Sequence, residues 1–131
     1  MAHKQDLISL QNSIVHCLVS AVNKPWDFFV VNFEREEIDG EQTQDTLAIA
    51  FQHEKDVWQR SSFVAPYDCG RLILRLSELM ASDGADPWGS CTLEVHSSGQ
   101  FRFSFSYEPP KRLNGDLGED AMLKGYTPKL W

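Results

Sequence analysis

Four histidines and three cysteines are the first residues to test for chemistry, and their spacing encodes no metal site. His3, His16, His53 and His96 form no HxxxH or HExxH pair, and Cys17, Cys69 and Cys91 form no Cys-x-x-Cys, so adjacent zinc ligands are missing. No metal or cofactor is expected. His96 lies on one side of an alternating segment with Thr92 and Glu94, since residues two apart line one strand face. Any wetted strand face carries such polar triplets, so a catalytic cluster is the weaker explanation. Cys69, between Asp68 and Gly70 at an expected helix start, would have its thiol pKa lowered by the helix dipole. A small enzyme using Cys69 or His96 is therefore a minor alternative, and no Gly-x-Ser-x-Gly elbow, GxGxxG loop or Walker spacing supports it. The odd number of cysteines, far apart and mostly in apolar company, reads as buried unpaired thiols.

Carboxylates are more telling. Glu34, Glu36, Glu37, Asp39, Glu41 and Asp45 stand within twelve positions against a single base, Arg35, and Glu54 and Asp56 follow at the next expected turn. If the flanking strands pair, the first six gather at one end of a hairpin, where repulsion costs stability unless a cation or a basic partner relieves it. A hydrated hairpin tip is the plain explanation of such a cluster. The functional one is a docking surface for a basic protein such as a nuclease, because complementary charge speeds association and selects the partner. Trp58 is then a candidate aromatic anchor. Calcium fits less well, since the spacing lacks the regular EF-hand loop. Lys111 and Arg112 form a basic pair that could grip an acidic group, though a solvated loop is the commoner explanation.

The elements that must position these residues follow from periodicity. Leu7, Leu10, Ile14, Leu18 and Val22 recur every three or four residues, which predicts an amphipathic helix over 4–22, stopped by Pro25. Residues 26–34 are aromatic and β-branched and predict a strand. Asp39-Gly40 predicts a hairpin tip, and 46–52 a second strand with Leu47, Ile49 and Phe51 turned inward. A third, edge-like strand covers 57–64. Pro66, Asp68 and the spacing of Leu72, Ile73, Leu76, Leu79 and Met80 predict a second helix to about Ser82, with Asp68 as its cap. Two strands follow, 88–96 and 101–107, the latter alternating Phe101, Phe103, Phe105 and Tyr107 with Arg102, Ser104 and Ser106.

The order α-β-β-β-α-β-β with short connections predicts an α+β two-layer sandwich. Its antiparallel sheet of about five strands has two main helices on one face, the other face meeting solvent or a partner. The 131 residues suit one domain, with 111–131 as a C-terminal tail in which 119–124 forms at most a short helix and Tyr126, Leu130 and Trp131 tie back to the body. With 42% apolar and 24% charged residues the chain is not generally disordered. Twelve Lys plus Arg against nineteen Asp plus Glu give −7, which disfavours direct nucleic-acid binding. No apolar run reaches about 18 residues and the start is not a signal peptide, so a cytoplasmic protein is expected.

Pro87-Trp88, then Cys91-Thr92-Leu93-Glu94-Val95, Gly99, Phe101 and Phe105-Ser106-Tyr107, after an N-terminal helix and a strand opening at Trp26, resemble the YezG-like family of bacterial immunity proteins. The resemblance covers roughly residues 5 to 108 and does not extend to the tail. It implies a small antitoxin that occludes the C-terminal domain of a polymorphic or contact-dependent inhibition toxin, often a nuclease, and it brings no catalytic residues. The toxin-binding residues expected on charge are Glu34, Glu36, Glu37, Asp39, Glu41, Asp45, Glu54 and Asp56, with Trp58. An adaptor or chaperone holding a peptide at the open sheet face is the alternative. Oligomeric state is not legible.

Overall fold

The computed structural model describes residues 3–82, 84–115 and 126–128. Helix α1 spans His3–Ala21 and buries Leu10, Ile14 and Leu18, the stripe that a 3.6-residue period places on one side. Strands β1 (Phe28–Ile38), β2 (Glu41–Glu54) and β3 (Val57–Ser62) follow as two successive hairpins. Helix α2, Tyr67–Ala81, buries Cys69, Ile73 and Leu76 and packs beside α1. Strands β4 (Ser90–His96) and β5 (Phe101–Ser106) complete an antiparallel sheet of order β3-β2-β1-β4-β5. This is the α+β architecture expected from the sequence.

Central β1 explains its own composition. Phe28 through Arg35 are all buried, because a strand with a neighbour on each side and a layer on each face has no wet side. Phe29, Val31 and Phe33 meet the helices, together with Ala48, Ala50, Cys91, Leu93, Val95 and Trp88. Phe28 and Val30 point the other way and cluster with Ile49 and Phe51, joined by Leu47, Trp58 and Tyr126.

Three expectations are corrected here. The inward face of β2 towards the helices is Ala48 and Ala50, and Leu47, Ile49 and Phe51 belong to the opposite face. Small side chains let the helices approach closely, while the large ones fill the far side. That far side is not bare either: Tyr126 stacks on Phe28 at 6.0 Å and meets Phe51 at 5.8 Å. Asp68 does not cap α2. The N-cap is Pro66, with no side-chain cap bond, and Asp68 sits in the first turn, where its charge favours the helix dipole. The expected helix at 119–124, Leu130 and Trp131 lie outside the described residues.

The β1–β2 and β2–β3 turns are each two residues long with positive φ at both centres, the type I′ geometry that matches strand twist. Asp39-Gly40 has φ of 52° and 82°. Lys55-Asp56 adopts 51° and 66° without a glycine. Gly89 has a different reason: a Cβ there would lie 2.3 Å from the Glu108 carbonyl oxygen. Its N–H donates to Ser106 O and its carbonyl accepts from Arg35 N–H, tying the ends of β5 and β1 together.

Candidate functional site

The acidic hairpin divides into two parts with opposite physics. Nearer the body, Glu34 faces Asp45 directly across the β1–β2 ladder, a like-charge juxtaposition that destabilises a sheet when left alone. Arg112 from the tail is set against this pair. Its Nε donates to Asp45 Oδ2 at 2.7 Å, and its Nη1 lies 3.5 Å from Glu34 Oε2. The Glu34 carboxylate also accepts backbone N–H bonds from Arg112 and Leu113, each at 2.9 Å. Nη1 donates to Asn32 Oδ1 and Nη2 to Asn32 O, while Asn32 Nδ2 donates to Thr92 Oγ1. The side chains of Arg112 and Glu34 are 2% and 0% exposed, so this is a buried, hydrogen-bonded charge cluster. The reading of Arg112 as a solvated loop residue is thereby corrected, and the cation that relieves the hairpin's inner repulsion is internal.

Farther out, the arrangement is open. β1 pairs with β4 only as far as Glu34, and β2 pairs with β3 only from Ile49, so residues 36–43 project as a two-stranded ribbon. Here each carboxylate faces a neutral partner: Glu36 opposes Thr43, Glu37 opposes Gln42, and Glu41 opposes Ile38. Glu37, Asp39 and Glu41 are exposed and Glu36 half-buried. Ile38 stands among them 58% exposed, an apolar side chain beside the turn. Sequence reasoning passed over Ile38; an isoleucine beside a turn dipeptide and flanked by acids was the signal available.

The other expected contact residues do not join this ribbon. Glu54 and Asp56 are exposed at the far end of β2, whose fourteen residues separate them from Glu41 by on the order of 40 Å. Trp58 is half-buried, lying 6.3 Å from Phe51 and 4.9 Å from His53, and so packs within the chain. The expected surface is therefore two separated acidic tips and one buried ion cluster, not one patch.

The alternative chemistry is placed as follows. Glu94 is buried, accepts from Arg102 Nη2 at 3.1 Å and from the Tyr126 hydroxyl, and is thus engaged by the sheet edge and the tail. His96 packs edge-on to Phe28 at 4.9 Å. Burial, with the hydrogen bond and charge of Cys17 added, pushes the Cys69 thiol well above its ordinary value, the reverse of the lowering expected from the helix start. Burial outweighs the dipole because Cys69 is fully enclosed. Among the described residues no group of three His, Cys, Asp or Glu could hold a metal ion, and no helix is long and apolar enough to cross a membrane.

The chain matches no known protein-family model and no curated protein sequence.

Proposed function

We propose that the chain is a toxin-neutralising immunity protein of the producing cell's cytoplasm, which works by covering a basic partner with its β1–β2 ribbon. The observation that carries this reading is the ribbon itself: Glu36, Glu37, Asp39 and Glu41 arrayed around exposed Ile38 on strands that project past the sheet. Rim carboxylates steer a basic surface into register, and a central apolar side chain supplies the desolvated contact on which interface energy concentrates. Arg112 already engages both inner carboxylates and offsets one of their two charges, so most of the hairpin's remaining charge lies on the ribbon. The sequence resemblance to YezG-like immunity proteins points the same way, to a nuclease-like toxin domain as that partner. Occlusion of a toxin needs nanomolar binding, about −12 kcal/mol.

Titration calorimetry of the purified chain against the toxin domain encoded beside its gene tests the proposal. Nanomolar affinity is expected, falling at least 100-fold when Glu37, Asp39 and Glu41 are changed to Lys, with a shallower dependence on salt. Unchanged affinity in that triple variant means that the ribbon is not the interface.

A further inference from the structure

The two helices bring together two thiols that the ribbon and its partner do not use. Cys17 of α1 and Cys69 of α2 have their sulfurs 2.7 Å apart, inside the roughly 3.5–4 Å at which even carbon atoms rest against one another. They are 52 positions apart in the chain, so helix packing and not sequence proximity creates the contact. Cys17 is half-buried and lines an open groove of about 720 Å³ with Ser13, His16, Asp68 and Leu72. Cys91, by contrast, is sealed between sheet and helices. We propose that Cys17 and Cys69 form a reversible disulfide, a covalent staple between α1 and α2 that closes in the presence of a low-molecular-weight disulfide and reopens with thiol.

The chemistry balances by two exchanges. Cys17, the accessible sulfur, attacks one sulfur of the small disulfide, breaking its S–S bond and releasing one small thiol that takes the Cys17 proton. Cys69 then attacks the Cys17 sulfur of the mixed disulfide. The second small thiol leaves with the Cys69 proton. The two cysteines are oxidised, the small disulfide is reduced to two thiols, and no other oxidant is required. Attack begins at Cys17 because it is the sulfur that lines the open groove, whereas Cys69 is enclosed and has the Cys17 sulfur beside it. The staple closes a loop of about 50 residues that contains β1, β2 and β3, so it restricts the unfolded chain strongly.

Incubating the full-length purified chain with oxidised glutathione, followed by thiol counting, peptide mapping and thermal melting, tests this. Two of the three thiols are expected to disappear, with one linked peptide pair joining Cys17 to Cys69 and a melting temperature raised by roughly 5–15 °C. Dithiothreitol should reverse all three changes. Since Cys69→Ser disturbs a buried site, Cys17→Ser is the decisive variant: it should fold, yield no linked peptide and show no rise in melting temperature. Three persistent thiols, a glutathione adduct on Cys17 that never resolves, a bond that includes Cys91, or the same thermal shift in Cys17→Ser each overturn the proposal.

Discussion

Arg112 shows how much one side chain decides. It is buried with two carboxylates, one of them fully enclosed, and every group around it is hydrogen-bonded. Removing one member of such a cluster strands the others away from water, whereas removing charges in pairs relieves the penalty. Arg112→Ala should therefore lower the unfolding free energy by about 3–5 kcal/mol in urea titrations. Adding Glu34→Gln to that variant should restore at least about 1 kcal/mol, the coupling that a double-mutant cycle reads. Additive losses would show that the two side chains do not act as a unit. The cluster was illegible beforehand for a physical reason. Glu34 looks like the first of a run of surface acids, and only the tail, 78 residues later in the chain, supplies its partner. Composition records charge, and it does not record which charges meet.

At the scale of elements, the strands and helices follow from the pattern because each buries a face of regular period. α1, α2 and β5 behave as their spacing predicts, whereas β1 runs four residues and β2 five residues farther toward their shared turn than the pattern marks. The facing of β2 does not follow. Alternation reports two sets of residues but not which set meets the helices, and here both sets are apolar because both faces of the sheet are covered. The turns divide likewise. Asp39-Gly40 announces itself, while Lys55-Asp56 reaches the same type I′ geometry with residues poorly suited to it. Positive φ costs non-glycine residues about 1 kcal/mol each, less for Asp or Asn. Changing Lys55 to Asn and Asp56 to Gly should thus stabilise the chain by about 1 kcal/mol, seen as a rise of roughly 4 °C in thermal melts. If the ribbon is the interface, the change should leave affinity for the proposed partner untouched, since this turn lies at the other end of β2. An equal or lower melting temperature would show that the Lys55 and Asp56 side chains stabilise the turn in ways that offset their backbone cost.

At the scale of the molecule, the two-layer sandwich stands, and its second face also carries a covering of tail residues. Helices cover one face of the sheet, and the described parts of the tail, carrying Arg112 and Tyr126, lie over the other. No periodicity announces that covering, because isolated anchors and not a stripe hold it down. Helices, sheet and tail each hold a weak acid in its neutral form: Cys69 in the helices, Cys91 in the sheet and Tyr126 in the tail. Burial raises all three above their ordinary values, with the bond and charge of Cys17 adding at Cys69 and those of Glu94 adding at Tyr126. In the unfolded chain the thiols ionise near pH 9.0 and the phenol near 10.0. Below those values both states hold the same protons and the full stability is present. Above them the unfolded state loses protons that the folded state keeps, so stability falls as pH rises, by up to about 1.4 kcal/mol per pH unit for each group. Urea unfolding of the reduced chain should accordingly lose roughly 3 kcal/mol or more between about pH 8 and pH 10.5. Tyr126→Phe keeps the ring against Phe28 and Phe51 but removes the ionisable hydroxyl, so its curve should flatten relative to the parent above about pH 10. Parallel curves for the two chains over that range would mean that the tail does not hold the phenol protonated against the sheet.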